Sequence, residues 1–315
     1  MRPELKEIDA SVCLVADGAW GTELQKLGLA PGSSPEYWNL AHPQEVARVA
    51  QKYVEAGSSV ILTNTFGGNR FVLSRHDLVT KMTELNLRGA QISKEAADGK
   101  TLVFGSMGPT GVLLADSDIT EEEIYETYCR QSEALHRGGA DAILIETMID
   151  VGEMELAARA THDSTPLPVV LSMTFDSGRE KTQTMMGVTP EQAVAAMERA
   201  GAWMIGANCG LGPEYYVQVC RRMRTVSSKP IWIKANAGIP RMVDDEIVYP
   251  QDPATFASYA RQLKAAGANV IGGCCGTTPE HIRRLREALA EEMLPSSSEP
   301  PVKHAKGGAL EGRKK

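Results

Sequence analysis

The chain has 315 residues, 43 % of them hydrophobic and 23 % charged, which is typical of a globular protein that buries one large core. Its formal net charge of −7 argues against a nucleic-acid partner, because binding to phosphates requires clusters of Lys and Arg. No stretch reaches the roughly 18 apolar residues of a membrane span, and the N-terminus lacks the apolar core of a signal peptide. We therefore expect a cytoplasmic protein that acts on small molecules.

Taken in chain order, short apolar runs bounded by turn residues predict eight strands, at 12–16, 59–64, 101–106, 141–146, 168–174, 203–208, 230–236 and 269–274. A segment of helical periodicity follows each one, at 43–56, 79–97, 121–138, 151–162, 190–200, 213–226, 253–266 and 279–292. This alternation, with strands too apolar to face water, predicts an α/β fold, a single (β/α)8 barrel spanning residues 1–294. An open doubly wound sheet is the structural alternative.

Local signals support two of the helix starts and mark the end of the domain. Thr189 and Thr278 each precede a proline at the first helical position, and Gln192 can complete a capping box with Thr189. Residues 295–315 are rich in Pro, Ser and Gly and end in basic residues, so we expect a disordered C-terminal tail.

A weak internal repeat places the ends of four strands at the same height. A triplet of small residues precedes each even-numbered strand, at 56–58, 138–140, 200–202 and 266–268. Counting seven residues from the middle of each triplet reaches a polar residue: Asn64, Glu146, Asn208 and Cys274. Equal offsets predict that these side chains lie together at the C-terminal rim, where (β/α)8 barrels place their active sites.

Three of the six cysteines should also meet at this rim, because Cys209 follows the sixth strand and Cys274 and Cys275 end the eighth. Adjacent cysteines can reach one metal only if the backbone bends, which the flanking glycines permit. Three thiolates leave one tetrahedral position of Zn²⁺ open, as in catalytic sites, and a substrate thiol bound there would be deprotonated. The sequence therefore predicts a zinc site that activates a thiol.

The remaining cysteines, Cys13, Cys129 and Cys220, lie in a strand or on helices and are interpreted as packing residues. A competing interpretation of the glycine-rich segment after the eighth strand is a phosphate cradle at a helix N-terminus. That interpretation would not require two adjacent cysteines, so zinc is favoured.

The rim segments resemble those of the homocysteine S-methyltransferase family, which includes betaine-homocysteine methyltransferases and the homocysteine-binding module of cobalamin-dependent methionine synthase. The similarity extends from about residue 12 to residue 292. Its motifs are Asp17-Gly18-Ala19-Trp20-Gly21-Thr22, Thr63-Asn64-Thr65-Phe66-Gly67-Gly68-Asn69, Gly105-Ser106-Met107-Gly108-Pro109-Thr110-Gly111, Ile145-Glu146-Thr147, Asn208-Cys209-Gly210, Asn236-Ala237-Gly238 and Gly272-Gly273-Cys274-Cys275-Gly276-Thr277. Together these motifs are highly specific.

The resemblance implies that zinc is bound by the three rim cysteines and by an oxygen ligand that leaves when homocysteine binds. Asn236, at the end of the seventh strand, is the candidate for that ligand. The resemblance also assigns Glu146 to the substrate ammonium, and Asp17 with the backbone of Gly18 and Ala19 to its polar end. Asn64, on the same rim, is expected to line the substrate pocket.

The methyl donor is expected to be betaine or a related onium compound. Vertebrate-type betaine enzymes of this family carry an aromatic pair after the second strand, whereas here Phe66 is followed by Gly67, so one wall of the cation cage is missing. Four other aromatic residues could rebuild it: Trp20, Tyr37, Trp38 and Phe71. S-Methylmethionine, S-adenosylmethionine and a methylated corrinoid protein are the alternatives; no cobalamin module follows residue 292, so a corrinoid protein would dock as a separate chain.

Two other classes of protein remain open at this stage. One is a lyase or isomerase barrel in which Glu146 is the general base, and the other is a non-catalytic metal-binding or thiol-binding protein. A homo-oligomer is also possible, since Tyr215 and Tyr216 could belong to an interface or to ordinary helix packing.

Overall fold

The computed structural model describes Leu5, Ile8 and residues 13–112, 119–244 and 246–290. The predicted tail at 295–315 lies outside the described residues. Ten strands occur in the described parts: β1 (Leu14–Val15), β2 (Val60–Leu62), β3 (Leu102–Met107), β4 (Ala142–Met148), β5 (Val169–Met173), β6 (Met204–Cys209), β7 (Ile231–Ala235), β8 (Arg241–Val243), β9 (Glu246–Val248) and β10 (Val270–Gly273). All eight predicted strands are confirmed within a few residues, and β8 and β9 are additional.

The eight predicted strands form one parallel sheet in the order β1-β10-β7-β6-β5-β4-β3-β2. Its two ends meet, because Ala16 bridges to Val60 in parallel and the Asp17 N–H donates to the Val60 carbonyl at 3.0 Å. The sheet is therefore closed into a barrel, and the open doubly wound alternative is excluded. A closed parallel barrel brings all eight carboxyl ends of the strands to one rim.

Helices surround the barrel: α1 (Gly21–Lys26), α2 (Trp38–Ala41), α3 (Pro43–Glu55), α4 (Arg70–Ser74), α5 (Met82–Ala97), α6 (Glu121–Arg137), α7 (Val151–Ser164), α8 (Pro190–Arg199), α9 (Pro213–Val226), α10 (Pro253–Ala257), α11 (Ala260–Ala265) and α12 (Pro279–Ala290). The helix predicted at 253–266 is two short helices, and α1, α2 and α4 were not predicted. These three lie in the long loops after β1 and β2, where short segments give little periodicity to detect. No helix in the described ranges is long and apolar enough to cross a bilayer.

The core has two layers. Inside the barrel, Phe104 and Trp232 stack with ring centroids 5.7 Å apart, together with Leu62, Leu144 and Val170. A larger apolar layer lies between the strands and the helices. Because side chains alternate along a strand, each strand contributes to both layers, which explains why the strands read as continuous apolar runs.

The hairpin formed by β8 and β9 comes between β7 and β10 in the chain. Among the described strands, its two strands pair only with each other. Its apolar side chains face solvent: Met242 and Ile247 are 66 % and 64 % exposed, and Val243 and Val248 are also exposed. No strand was predicted in this segment, because three-residue strands are too short to show alternation.

Candidate metal and amino-acid site

The three cysteines predicted to bind metal converge at the rim. The sulfur atoms of Cys209, Cys274 and Cys275 all lie within 4.8 Å of one another, although Cys209 is the last residue of β6 and the other two follow β10. Among the described residues they are the group of His, Cys, Asp and Glu ligands able to share one ion. Cys129 and Cys220 instead donate to helix carbonyls, of Ala160 and Leu263, as expected of packing residues.

Unusual backbone geometry directs these side chains inward. Cys209 has a φ of +63° and is followed by Gly210 at +58°, so the chain reverses immediately after β6. A left-handed conformation is uncommon for a residue with a Cβ and concentrates at functional sites. After β10, Gly276 has a φ of +80°, which lets the chain turn directly after the adjacent cysteines. The bend that the sequence analysis required is therefore present.

Asn236 joins the two cysteine loops. Its Nδ2 donates to the Gly210 carbonyl at 2.9 Å, and its Oδ1 accepts the Cys275 N–H at 3.0 Å. The Ala237 N–H also donates to the Cys275 carbonyl at 2.9 Å. The loop after β7 thus holds the loops after β6 and β10 in register, so Asn236 has a positioning function in addition to any contact with metal.

The donor set fits a zinc ion. Three sulfur atoms this close cannot all be charged without a cation, and hydrogen bonding to Cys209 and Cys275 together with burial raises the pKa of the Cys274 thiol. Hydrogen bonds from Cys209 and Cys274 lower the pKa of the Cys275 thiol. A divalent cation would remove the repulsion among the three, and soft thiolates favour zinc among the common divalent ions.

Tyr249, which follows β9, also contacts this cluster. Its hydroxyl hydrogen-bonds to the Cys275 side chain, and its ring packs so closely on Gly276 that a Cβ there would lie 2.1 Å from the Tyr249 Cγ. Gly276 is therefore required twice, for its positive φ and for this contact. Tyr249 was not predicted as a site residue, because its position depends on the hairpin.

Glu146 lies at the end of β4 and is 5 % exposed. Ser106 Oγ donates to its Oε1 at 2.6 Å, and Asn208 Nδ2 donates to its Oε2 at 3.1 Å. Burial raises the pKa of Glu146, whereas the charge of Lys234 opposes that shift. The carboxylate is thus held in one orientation by neutral donors.

Asn208 acts as the central support of this carboxylate. Its Oδ1 accepts the Thr147 N–H at 2.9 Å and the Ser172 hydroxyl at 2.6 Å, so every polar atom of its amide has a partner. Thr147 has a φ of +62°, which is strained for a β-branched residue. Two of the four rim residues predicted from the repeat make hydrogen bonds within the protein: Asn208 donates to Glu146, and Asn64 donates to Asn39 and to the Pro35 carbonyl.

Asp17 is fully buried and forms an ion pair with Lys234, with 2.5 Å between its Oδ1 and the Lys234 Nζ. Its Oδ2 accepts hydrogen bonds from the Trp20 indole at 2.8 Å and from the Leu62 N–H at 2.7 Å. Both carboxylate oxygens of Asp17 therefore bond to groups of the protein itself. Lys234 was missed by the sequence analysis, although a lysine in the apolar run Ile231–Ala235 was the available signal.

The neighbouring backbone is partly used as well. The Ala19 N–H donates to the Thr277 hydroxyl at 3.1 Å, and that hydroxyl donates to the Cys274 carbonyl at 2.7 Å. The Thr277 hydroxyl therefore already has partners within the protein and is not available to donate to a phosphate, which weakens the phosphate-cradle interpretation. The same contacts tie the loop after β1 to the cysteine loop.

The four aromatic residues considered for a cation cage have partners within the chain. The Tyr37 ring faces the Lys81 ammonium at 5.4 Å, and the Phe71 ring faces the Arg70 guanidinium at 4.7 Å. Trp38 packs against the His42 ring with centroids 4.6 Å apart, and Trp20 is hydrogen-bonded to Asp17. Their faces are therefore partly occupied by groups of the protein itself.

A closed (β/α)8 barrel whose rim gathers three thiols able to hold a metal ion, together with a buried carboxylate, defines a class of barrel enzymes. Comparison with known proteins identifies the family. Residues 14–289 match the model of the homocysteine S-methyltransferase family, and the chain belongs to that family. The fold is shared with the homocysteine methyltransferase MmuM of Escherichia coli in its metallated form, at a TM-score of 0.74 and 23 % identity over 87 % of this chain and 96 % of that one.

Curated relatives are longer proteins. The chain is 34 % identical to a methionine synthase of Mycobacterium leprae over 91 % of its own length and 25 % of that protein. It is 33 % identical to a methionine synthase of Mycobacterium tuberculosis over 95 % of its length and 27 % of that protein. The chain thus spans about a quarter of the length of these relatives.

Proposed function

We propose that this chain is a zinc-dependent homocysteine S-methyltransferase that produces methionine. The observation that carries the proposal is the convergence of three sulfur atoms within 4.8 Å at the same rim as the buried, oriented carboxylate of Glu146. An ω-thiol amino acid needs both features, a metal for its sulfur and a carboxylate for its ammonium.

Each group has a defined part in the reaction. Zinc held by Cys209, Cys274 and Cys275 would keep the homocysteine sulfur deprotonated at neutral pH. Glu146 would bind the ammonium, with Ser106 and Asn208 fixing its orientation. The sulfur then takes the methyl group, the bond between that methyl and the donor breaks, and the proton of the free thiol is released to solvent when homocysteine binds.

We also propose that Asn236 supplies the oxygen ligand that homocysteine displaces. Support comes from the hydrogen bond between its Oδ1 and the Cys275 N–H at 3.0 Å, which keeps that oxygen beside the cysteine loop. Gly18 remains our candidate for binding the substrate carboxylate through its backbone. For Asp17, Ala19 and Asn64, the internal hydrogen bonds favour an indirect contribution through the shape of the pocket.

The metal proposal is tested by replacing one ligand. We expect the Cys274→Ser variant to lose zinc and to form methionine at least about 100-fold more slowly. Replacing a residue that only hydrogen-bonds to a metal ligand typically costs up to about 100-fold in activity, and loss of a ligand itself should cost at least as much. Cys129→Ser is the matched control, because Cys129 donates only to the Ala160 carbonyl. If zinc content and the rate of methionine formation both survived in Cys274→Ser, Cys274 would not be a zinc ligand and the metal proposal would be wrong.

The identity of the methyl donor is a separate proposal. The sequence favours betaine or a related onium compound as the donor. The structure gives little support to a cage for that cation, because the Tyr37 ring already faces Lys81 and the Phe71 ring already faces Arg70. The exposed apolar hairpin, together with Met185 and Met186 at 65 % and 54 % exposure in the loop after β5, favours a donor carried by a protein that docks at the rim. A methylated corrinoid protein fits that description.

A donor screen distinguishes these possibilities. Purified protein with zinc and homocysteine is offered betaine, dimethylsulfoniopropionate, S-methylmethionine, S-adenosylmethionine or methylcobalamin, the last both free and protein-bound. We expect methionine from the protein-bound methylcorrinoid, with a rate that falls when Met242 and Ile247 are replaced by Ser. Methionine formed from betaine at an equal rate in that variant would establish the onium donor instead.

We place the proposed enzyme in the cytoplasm, where thiols are kept reduced. Three neighbouring free cysteines would be prone to disulfide formation in an oxidising compartment. The proposed substrate is itself a free thiol and requires the same conditions.

A further inference from the structure

Lys234 is a buried lysine near the rim of the barrel, and it has no role in the reaction proposed above. It is 2 % exposed, and its ammonium pairs with the fully buried carboxylate of Asp17. Room for its stem depends on Gly272, where a Cβ would lie 3.1 Å from the Lys234 Cγ and 2.8 Å from the Asp17 carbonyl oxygen. The barrel is therefore built to hold this ion pair.

The pair matters because a second carboxylate is close by. Lys234 interacts electrostatically with Glu146 as well as with Asp17, and its register partner on β6 is Asn208, which hydrogen-bonds to Glu146. Glu146 receives hydrogen bonds only from neutral groups among its described partners, Ser106 and Asn208. In a poorly solvated pocket, a lysine not held elsewhere would pair with that carboxylate.

We infer that Asp17 holds Lys234 away from Glu146, and that this arrangement makes the pocket selective for ligands with an α-ammonium group. The two charges of the Asp17–Lys234 pair cancel, so Glu146 keeps the negative charge that the ligand's ammonium needs. Asp17 and Lys234 are positioning and specificity-determining residues in this scheme. The inference rests on the proposed function for the assignment of Glu146 to the ammonium.

The test compares methionine, the proposed product, with 4-(methylthio)butanoate, which lacks only the ammonium. Calorimetry on the full chain, with and without zinc, gives both dissociation constants without requiring a methyl donor. We expect the wild type to prefer methionine by about 10- to 100-fold, the range expected for a charged hydrogen bond. The Asp17→Asn variant should reduce that preference to less than about 3-fold, because the released Lys234 ammonium neutralises Glu146.

The double variant Asp17→Asn/Lys234→Met should restore the preference to at least about 10-fold, since no lysine remains to pair with Glu146. It also avoids an unpaired buried charge, so it stays informative if Asp17→Asn alone does not fold. 4-(Methylthio)butanoate is the internal control and should bind all variants equally. Loss of both ligands in parallel, or a double variant without preference, would overturn the inference while leaving the proposed function intact.

A wild type that binds both ligands equally would have a different meaning. It would overturn this inference and the assignment of Glu146 to the ammonium, whereas the zinc content of the Cys274→Ser variant would still report on the metal site. The two proposals therefore fail on different measurements.

Discussion

At the scale of single residues, the proposed function requires a carboxylate that is buried and yet ionised, so that it can bind an ammonium. Desolvation raises the pKa of Glu146, while Lys234 and the Ser106 hydroxyl favour its charged form, and Asp17 and Cys275 oppose it. Ser106 and Asn208 supply the hydrogen bonds that make ionisation tolerable in this environment. The balance leaves a carboxylate that protonates more readily than an exposed glutamate.

Binding of amino-acid ligands should therefore depend on pH in a defined direction. Because the pKa of Glu146 is raised from 4.5, lowering the pH should protonate it before an exposed glutamate, and methionine affinity should fall through that raised pKa. Calorimetry over a pH series checks this. In Glu146→Gln the affinity should be low and without this pH dependence, whereas the exposed control Glu280→Gln should reproduce the wild-type profile.

If methionine affinity stayed constant down to pH values at which ordinary glutamates are protonated, Glu146 could not be the residue that binds the ammonium.

At the scale of elements, the helices that follow the rim loops are started by side-chain caps. Thr120 and Thr189 each accept an N–H from the third residue of α6 and α8, and Glu123 and Gln192 complete the capping boxes. Capping fixes the direction in which each helix leaves the rim. The cap at Thr189 was predicted from the sequence because its signal is local, whereas the cap at Thr120, the hairpin and the short helices of the long loops were not predicted.

Replacing Thr189 with Ala should destabilise the barrel by about 1 kcal/mol, since the hydrogen bond to the Gln192 N–H is lost. Thermal or urea unfolding measures this difference. Thr225→Ala is the matched control: Thr225 lies exposed in α9, and its hydroxyl bonds to the Arg222 carbonyl of the same helix. Equal stability changes in the two variants would show that the cap at α8 contributes nothing beyond helix propensity.

At the scale of the whole molecule, the proposed metal ligands lie at the rim and the core does not depend on them. The barrel interior is fully buried without the cysteines, which are not members of its apolar cluster: Phe104, Trp232, Leu144 and Val170. This arrangement differs from small zinc domains, in which the metal replaces an apolar core and its removal unfolds the chain. Closure of the sheet therefore accounts for the stability here, and the proposed metal would serve only the chemistry.

Removing the metal with a chelator should therefore leave the far-ultraviolet circular dichroism spectrum unchanged while lowering the melting temperature. Zinc in 100-fold excess over its dissociation constant would stabilise the native state by about 2.7 kcal/mol, which is lost on chelation. The Cys274→Ser variant should melt at the temperature of the metal-free protein and should not respond to zinc. Global unfolding on chelation would contradict this assignment of stability to the barrel.

The sequence by itself determined the features that are local or periodic. Strand and helix order, the barrel, the capping box at Thr189 and the common rim position of Glu146 and Cys274 all follow from patterns within a few residues or from a constant offset. Tertiary structure alone decided which rim groups have partners. The pairing of Asp17 with Lys234, 217 residues apart, depends on β1, β7 and β10 lying side by side, and no local pattern encodes a contact across a closed barrel. A polar residue can be located from sequence, but whether its charge faces a ligand or another side chain depends on the neighbours that folding brings to it.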